Sequence, residues 1–149
     1  MRVVGADVDR KVIRTISRRY RHVRNVTFLR RNLLDLDFRR TFDTVVCFET
    51  LEHFAPQEIP RLLARFASAL KANGTLILST PHMQPPSPEA LAMGFHRTFL
   101  IDEARVTDWL SGAGFALRLL RYQSYKTHDI VADGVDQDFL IAVASLHNA

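Results

Sequence analysis

Short apolar runs recur along the chain and are separated by amphipathic or polar stretches. Runs of five to nine residues with this character are typical of β-strands, and those that are apolar almost throughout are typical of strands buried on both faces of a sheet. The pattern predicts six strands, at residues 2–6, Val26–Arg30, Thr44–Phe48, 75–80, 115–123 and 138–146.

Three stretches between these runs have the period of an α-helix. After Asp9, a candidate N-cap, Val12, Ile16 and Tyr20 recur every four residues opposite a row of arginines, which predicts an amphipathic helix. A second helix is predicted at about residues 57–72, with Asn73-Gly74 as its left-handed stop, and a third at about 102–111.

The predicted order of elements indicates an α/β fold with a mainly parallel sheet and helices on both faces. We treat residues 1–149 as one domain. Residues 81–98 begin with a Pro-rich stretch directly after a strand. Because ligands of open α/β sheets bind beyond the carboxyl ends of the strands, this segment is a candidate lid, although a plain surface loop fits equally well.

The positive charge is concentrated at the start of the chain. Residues 1–40 hold 12 of the 20 Lys and Arg residues but only four of the 16 acidic residues, a net charge of +8, whereas the whole chain carries +4. Such a field favours a polyanionic partner such as RNA, with residues 10–40 as the contact region. A solvated helix face is the simpler interpretation.

Composition and length set few further limits. The chain is 47% hydrophobic and 24% charged, which is ordinary for a globular domain, and its single cysteine requires no oxidising compartment. No apolar run is long enough to span a bilayer. We therefore expect a cytoplasmic protein without membrane contact.

Candidate site residues fall where the predicted strands end. Asp7 follows the first strand, and a carboxylate there can accept hydrogen bonds from both hydroxyls of a ribose, although Asp is also a common helix cap. Asn32 and Leu33 follow the second strand, where an amide can contact an adenine edge and an apolar side chain can cover the ring. An Asn in a turn is more often only a turn residue.

The stretch after the third strand has the densest chemistry. Glu49, Glu52 and His53 lie within five residues, so one helical turn can bring them together, and His96 could complete a site from the end of the Pro-rich segment. Two carboxylates and imidazole groups suit Mg²⁺ or another divalent ion. Alternatively, the carboxylates only interact with a helix dipole and His53 is a surface residue.

The segments "VVGADVD", "FDTVVCFETLEHF" and "LKANGTLILSTPH" resemble class I S-adenosylmethionine-dependent methyltransferases in order and spacing. They look most like the branch that contains the ubiquinone-biosynthesis O-methyltransferases. The resemblance implies a Rossmann-like fold, S-adenosylmethionine as cofactor, and methyl transfer to an oxygen of a small molecule.

The resemblance also implies roles for single residues. The cofactor contacts would be Asp7, Val8, Asn32, Leu33, Cys47 and Phe48. The catalytic candidates would be His53, as a general base, and Glu49. An E-x-x-E-H motif that binds a divalent metal in some relatives matches Glu49, Glu52 and His53, and His96 matches the further ligand.

The chain departs from this family at its start. Relatives begin with a strand, a G-x-G-x-G loop and a helix before the acidic strand, and none of the six glycines here forms such a loop. We expect two inner sheet edges to be unpaired as a result. Either Met1 is a late start, or the chain is a non-catalytic remnant that acts as a binding module. A metal-dependent RNA 2′-O-methyltransferase is a further alternative.

Overall fold

A computed structural model describes residues 1–147 and divides the chain into two compact units, residues 1–37 and the residues from 38 onward. In the first unit, strand β1 (Val3–Asp7) is followed by helix α1 (Arg10–Arg19), strand β2 (Val26–Arg30) and a 3₁₀ turn (Leu33–Asp35). β1 and β2 pair in parallel, with Val3 opposite Val26 and Asp7 opposite Arg30.

Helix α1 begins where the sequence predicts. The Asp9 carboxylate accepts hydrogen bonds from the backbone N–H groups of Lys11 and Val12, which satisfies two of the donors that a helix start leaves free. Ile13 and Ile16 are half-buried, whereas the arginines of the helix are exposed. The apolar side of the helix therefore packs within the unit and the basic side faces solvent.

The second unit contains a five-stranded mixed sheet with the strand order β3-β4-β7-β5-β6. Its elements are β3 (Phe42–Cys47), a 3₁₀ turn (Leu51–His53), α2 (Ile59–Ala69), β4 (Leu70–Pro81), α3 (Pro88–Met93), α4 (Glu103–Gly112), β5 (Phe115–Gln123), β6 (Ile130–Val131) and β7 (Phe139–Leu146). Only β3 and β4 are parallel; the pairs β4–β7, β5–β7 and β5–β6 are antiparallel.

The core of this unit lies between the sheet and helices α2 and α4. Along β7 every second residue is buried (Leu140, Ala142, Ala144), as expected for a strand with one covered face. From the helices, the core takes Ile59, Leu62, Leu63, Phe66, Val106 and Leu110. Val46 and Phe48 point away from it and remain more than half exposed.

Several sequence predictions require correction. The sheet of the second unit is not mainly parallel, because β5 and β7 follow one another without an intervening helix and form an antiparallel pair. Helix α2 ends at Ala69, before Asn73-Gly74; Asn73 does have a left-handed φ of 62°, but within β4. The Pro-rich segment contains a helix, α3, which the Ser87 side chain caps and Pro88 begins.

Between residues 1 and 147, strands β1 and β3 each have one edge without a strand partner. Among the described residues, β1 pairs only with β2, and β3 pairs only with β4. The expected unpaired edges are therefore present, and each has free backbone N–H and C=O groups. In residues 1–147, no helix has the length and apolar character needed to cross a membrane.

Candidate functional site

The chain turns sharply where it leaves β3. Glu49 adopts a left-handed φ of 46°, which is uncommon for a residue with a side chain. Its backbone N–H donates to the Ser79 carbonyl at 3.1 Å, and the Ser79 hydroxyl donates to Glu49 Oε1 at 2.5 Å. β4 therefore holds Glu49 at the carboxyl end of the parallel pair, and burial raises the pKa of its carboxyl group.

Glu52 is the buried centre of the site, with 3% of its surface exposed. Its backbone carbonyl accepts hydrogen bonds from the N–H groups of Arg97 and Thr98, at 2.7 and 3.1 Å. Its Oε2 accepts a hydrogen bond from the Thr80 hydroxyl at 3.3 Å. The residue thus ties the far end of the Pro-rich segment to the end of β4.

The environment of Glu52 changes its acidity. Burial, with a smaller contribution from the charge of Glu49, raises the pKa of Glu52 to about 7, although its own backbone N–H, His53 and Thr80 act in the opposite direction. Burial penalises the charged form of a carboxyl group and favours any cation that can neutralise it.

His53 has a defined tautomer. Its Nδ1 lies 2.8 Å from the Phe95 carbonyl oxygen, which can only accept a hydrogen bond. Nδ1 therefore carries the proton, and a neutral ring has its lone pair on Nε2. That atom lies 3.8 Å from Glu52 Oε1. A histidine whose second nitrogen donates to a carbonyl is the arrangement found in metal-ligating histidines.

His96 completes the group. Its ring centroid lies 5.1 Å from that of His53. Its Nδ1 is buried without a hydrogen-bond partner, which is rare for a polar atom out of contact with water. Burial and the charge of His53 both lower the pKa of His96, so the ring is neutral at physiological pH and keeps a lone pair.

Three of the four predicted metal ligands lie together. Each of these residues, Glu52, His53 and His96, offers one ligand atom, and the three atoms lie within 4.8 Å of one another. Ligand bonds of about 2.0–2.2 Å require somewhat shorter separations, so small side-chain rotations would suffice. Glu49 is not part of this group; its Oε1 accepts the hydrogen bond from Ser79.

A cavity adjoins Glu49 on the exposed side of the sheet. It measures about 220 Å³ and is lined by Phe48, Glu49, Ser79, Gln123, Phe139 and Ile141. Two aromatic rings and an isoleucine give it apolar walls, whereas a carboxylate, a hydroxyl and an amide supply polar contacts. Sites for small molecules have similar linings but are usually larger, at about 300–1,000 Å³.

The remaining predicted contact in this unit is Cys47, which lies in the last position of β3 and is buried. Burial raises the pKa of the Cys47 thiol to about 12. The side chain is therefore an uncharged apolar group rather than a nucleophile.

The other predicted cofactor residues lie at one end of the first unit. Asp7 is the last residue of β1, and its carboxylate accepts a hydrogen bond from the Asp9 N–H at 2.7 Å. The Asn32 side-chain oxygen caps the 3₁₀ turn through the Leu34 N–H. Val8 is exposed and Leu33 half-buried. Asp7 retains a second oxygen for a ligand, whereas Asn32 already uses its oxygen within the turn.

Sequence reasoning missed two site residues, Ser79 and Thr80. They lie at the end of β4 and donate hydrogen bonds to Glu49 and Glu52, respectively. The signal was present as two consecutive hydroxyl residues at the end of a strand, "LST". Their partners lie 30 and 28 residues away, and only the pairing of β3 with β4 brings them together.

The comparisons with known proteins agree with this fold. Residues 1–74 match the family model of the methyltransferase domain. No curated protein sequence gives a significant match. The fold is similar to that of 1,6-didemethyltoxoflavin-N1-methyltransferase from Burkholderia thailandensis, solved with S-adenosylhomocysteine, at a TM-score of 0.72 and 19% identity over 99% of this chain and 62% of that one.

Two further structures show that proteins with different activities have this fold. The magnesium protoporphyrin IX methyltransferase of Synechocystis, also solved with S-adenosylhomocysteine, has a TM-score of 0.70 at 20% identity over 98% of this chain and 64% of that one. The [4+2]-cyclase SpnF has a TM-score of 0.74 at 14% identity, over 98% and 66%. The chain therefore spans about three fifths to two thirds of the length of these structures.

The family match covers residues 1–74, and the solved methyltransferases share the fold of this chain. The Rossmann-like α/β fold expected from the sequence is confirmed. These identities define the fold and not the reaction, since a cyclase shares it.

Proposed function

We propose that this chain functions in methyl transfer from S-adenosylmethionine to an oxygen atom of a small molecule. The observation that carries the proposal is the Glu52–His53–His96 group at the end of β3 and β4, in a chain whose first half matches methyltransferases. The neighbours solved with S-adenosylhomocysteine support the cofactor.

The reaction requires few protein groups. The substrate oxygen forms a bond to the cofactor methyl carbon while the sulfur–carbon bond breaks, and sulfur leaves as a neutral thioether. The protein has to align the two reactants and accept the hydroxyl proton. The cavity beside Glu49 has the composition to hold the acceptor. Glu49 would accept the proton where His53 Nε2 binds an ion, and His53 would be the base where no ion is bound.

Glu52, His53 and His96 fit a divalent ion. The unpartnered Nδ1 of His96 and the lone pair on His53 Nε2 are the observations that support it. A bound ion would lower the pKa of a substrate hydroxyl and hold it in place. One carboxylate and two imidazoles leave coordination positions open for an oxygen ligand, which favours an oxygen over a nitrogen acceptor.

Metal binding can be tested on the chain itself by isothermal titration calorimetry with Mn²⁺, Mg²⁺ and Zn²⁺. We expect one ion per chain, and His96→Gln should weaken binding at least tenfold, since loss of even an outer-shell partner costs about 10–100-fold. His22→Gln, which changes an exposed histidine of the first unit, is the matched control. Equal affinity in both variants would exclude this site.

A non-catalytic binding module is the second candidate. It is favoured by the lack of a G-x-G-x-G loop in the 149 residues, because only glycine permits the close backbone approach that this loop makes to the cofactor. The coding sequence upstream of the Met1 codon distinguishes the two. An in-frame strand followed by G-x-G-x-G supports the enzyme, and its absence supports the module.

The choice of oxygen as acceptor has a separate test, in a form of the protein that contains such a loop. Phenol and aniline are a matched pair of acceptors that differ only in the attacking atom. With radiolabelled S-adenosylmethionine, we expect methylated product from the phenol only. Transfer to the aniline alone would assign nitrogen as the acceptor.

A further inference from the structure

Four of the five basic residues of helix α1 lie on one side of the helix, and Arg19 lies outside this row. At 3.6 residues per turn, Arg10, Lys11, Arg14 and Arg18 fall within an arc of about 100°, and Arg21 follows in the turn after the helix. Val12, Ile13, Ile16 and Tyr20 occupy the opposite arc. Arg10, Arg14 and Arg18 succeed one another at a rise of about 6 Å each, so the row extends about 12 Å along the helix axis.

In the described part of the chain, Asp9 interacts electrostatically with Lys11 of this row, but no carboxylate is paired with its arginines. Helix α1 contains no acidic residue, and none of its arginines forms an ion pair in residues 1–147. The nearest carboxylate in the sequence, Asp9, is engaged as the helix cap. Like charges four residues apart destabilise an isolated helix, so the fold sustains repulsion among Arg10, Arg14 and Arg18.

We propose that the row Arg10–Lys11–Arg14–Arg18–Arg21 binds the phosphodiester backbone of a nucleic-acid strand. This inference does not rest on the proposed methyl transfer. A 12 Å row corresponds to the axial rise of about three to four nucleotides of one strand. Four of its five members are arginines, whose planar guanidinium groups bind phosphate oxygens in a bidentate manner.

The packing of the helix argues against a lipid surface. An amphipathic helix that binds a membrane inserts its apolar side between the lipids, but here Ile13 and Ile16 are half-buried within the first unit. The ring of Tyr20 lies 6.0 Å from that of Phe28. The apolar side is therefore partly engaged, with Val12 and Tyr20 each 42% exposed, whereas the arginines on the charged side are exposed throughout.

The composition of the row predicts that it contacts the phosphodiester backbone of the nucleic acid rather than its bases. Tyr20 is the only aromatic residue of the helix and its C-cap, and it contacts Phe28 and Arg19. With no free aromatic ring in the row to stack on a base, affinity should be independent of sequence and should depend strongly on salt.

The test is fluorescence anisotropy of the 149-residue chain with labelled 20-nucleotide single-stranded RNA and DNA of the same sequence. For four to five phosphate contacts, we expect log Kd to rise with log salt with a slope of about 3, at roughly 0.7 per contact. Arg14→Gln/Arg18→Gln should lower that slope by about 1.4 and weaken binding about tenfold at low salt. Arg14→Lys/Arg18→Lys should retain the slope.

Arg118→Gln/Arg121→Gln is the matched control, because it removes two exposed arginines from β5. Equal losses in the two Gln variants would contradict the proposal, as would a slope near zero. If polyglutamate displaced the labelled oligonucleotide as effectively as unlabelled RNA does, the row would be assigned to binding an acidic protein. Binding to phosphatidylserine vesicles without binding to either oligonucleotide would assign it to a membrane. The ratio of the two dissociation constants shows whether the chain prefers RNA or DNA.

Discussion

Burial at the end of β3 limits the reactivity of the Cys47 thiol. Its sulfur lies at the buried end of β3, and burial raises the pKa of the thiol to about 12. We expect fewer than about 0.1 equivalents of 5,5′-dithiobis(2-nitrobenzoate) to react with the native chain within minutes at pH 8, since the thiolate is the reactive form. In guanidinium chloride, one equivalent should react. Full reaction under native conditions would show that β3 opens at its end.

At the same scale, burial shifts the pKa values of the acidic and basic members of the Glu52–His53–His96 group in opposite directions. Glu52 is buried with a raised pKa, whereas burial lowers the pKa of His96. Both groups are thereby shifted toward their neutral forms, and a divalent cation is the species that would restore the carboxylate charge without protonating an imidazole. These opposite pKa shifts, in addition to the E-x-x-E-H motif, are the reason that we propose Glu52, His53 and His96 as ligands of one divalent ion.

The segment between β5 and β7 depends on one carboxylate. Asp138 accepts hydrogen bonds from the backbone N–H groups of Tyr125 and Val135, and these bonds lower its pKa below the ordinary 3.8. Between the lowered and the ordinary pKa, the unfolded state binds more protons. The stabilisation is therefore complete above about pH 4 and is lost as pH falls through the folded-state pKa.

Thermal unfolding from pH 2 to 7 measures this effect. We expect the melting temperature of the native chain to fall more steeply below pH 4 than that of Asp138→Asn, which cannot ionise. Asp136→Asn, an exposed neighbour, should follow the native chain. Parallel curves for all three proteins would show that Asp138 does not link this segment to pH.

The sequence predicted some elements residue by residue and missed others for identifiable reasons. Strands β2 and β5 match their predicted limits because each is bounded by a clear change of pattern. The end of α2 was misplaced, because Asn73-Gly74 indicates a left-handed residue but not which element contains it. Helix α3 was missed because a Pro-rich segment also has the composition of a loop, and only the Ser87 cap distinguishes it.

Part of the candidate site was also predictable from the sequence, and part was not. Local spacing predicted that Glu49, Glu52 and His53 lie together, and His96 was a candidate from the end of the Pro-rich segment. The structure brings Glu52, His53 and His96 together and leaves Glu49 outside the group. The hydroxyl partners Ser79 and Thr80 were not predictable, since their contacts depend on the register in which Cys47 pairs with Leu78. Register is a property of the sheet and cannot be read from either strand alone.

For the whole molecule, the open edge of β3 predicts self-association. Val46 is 57% exposed on this strand, and apolar edge strands pair with other chains unless a charge prevents it. Analytical ultracentrifugation should show oligomers of the native chain that grow with concentration, and Val46→Lys should shift the population toward monomer. Val135→Lys, at an exposed position between β6 and β7, is the control; equal shifts in both variants would assign the effect to net charge.

The affinity for S-adenosylmethionine tests how far the 149 residues form a cofactor site. Asp7 offers a carboxylate for the ribose hydroxyls, but the chain contains no glycine-rich loop for the methionine portion of the cofactor. We therefore expect calorimetry with S-adenosylmethionine to give weak binding or none, and no turnover.

A form that contains such a loop should bind the cofactor, and Asp7→Ala in that form should cost about 1–3 kcal/mol of binding free energy, because two hydrogen bonds to a charged group are lost. Asp37→Ala, which changes an exposed aspartate elsewhere in the first unit, is the control. An unchanged dissociation constant for Asp7→Ala would exclude Asp7 as the ribose ligand. Micromolar affinity in the 149-residue chain would instead show that its own residues replace the loop.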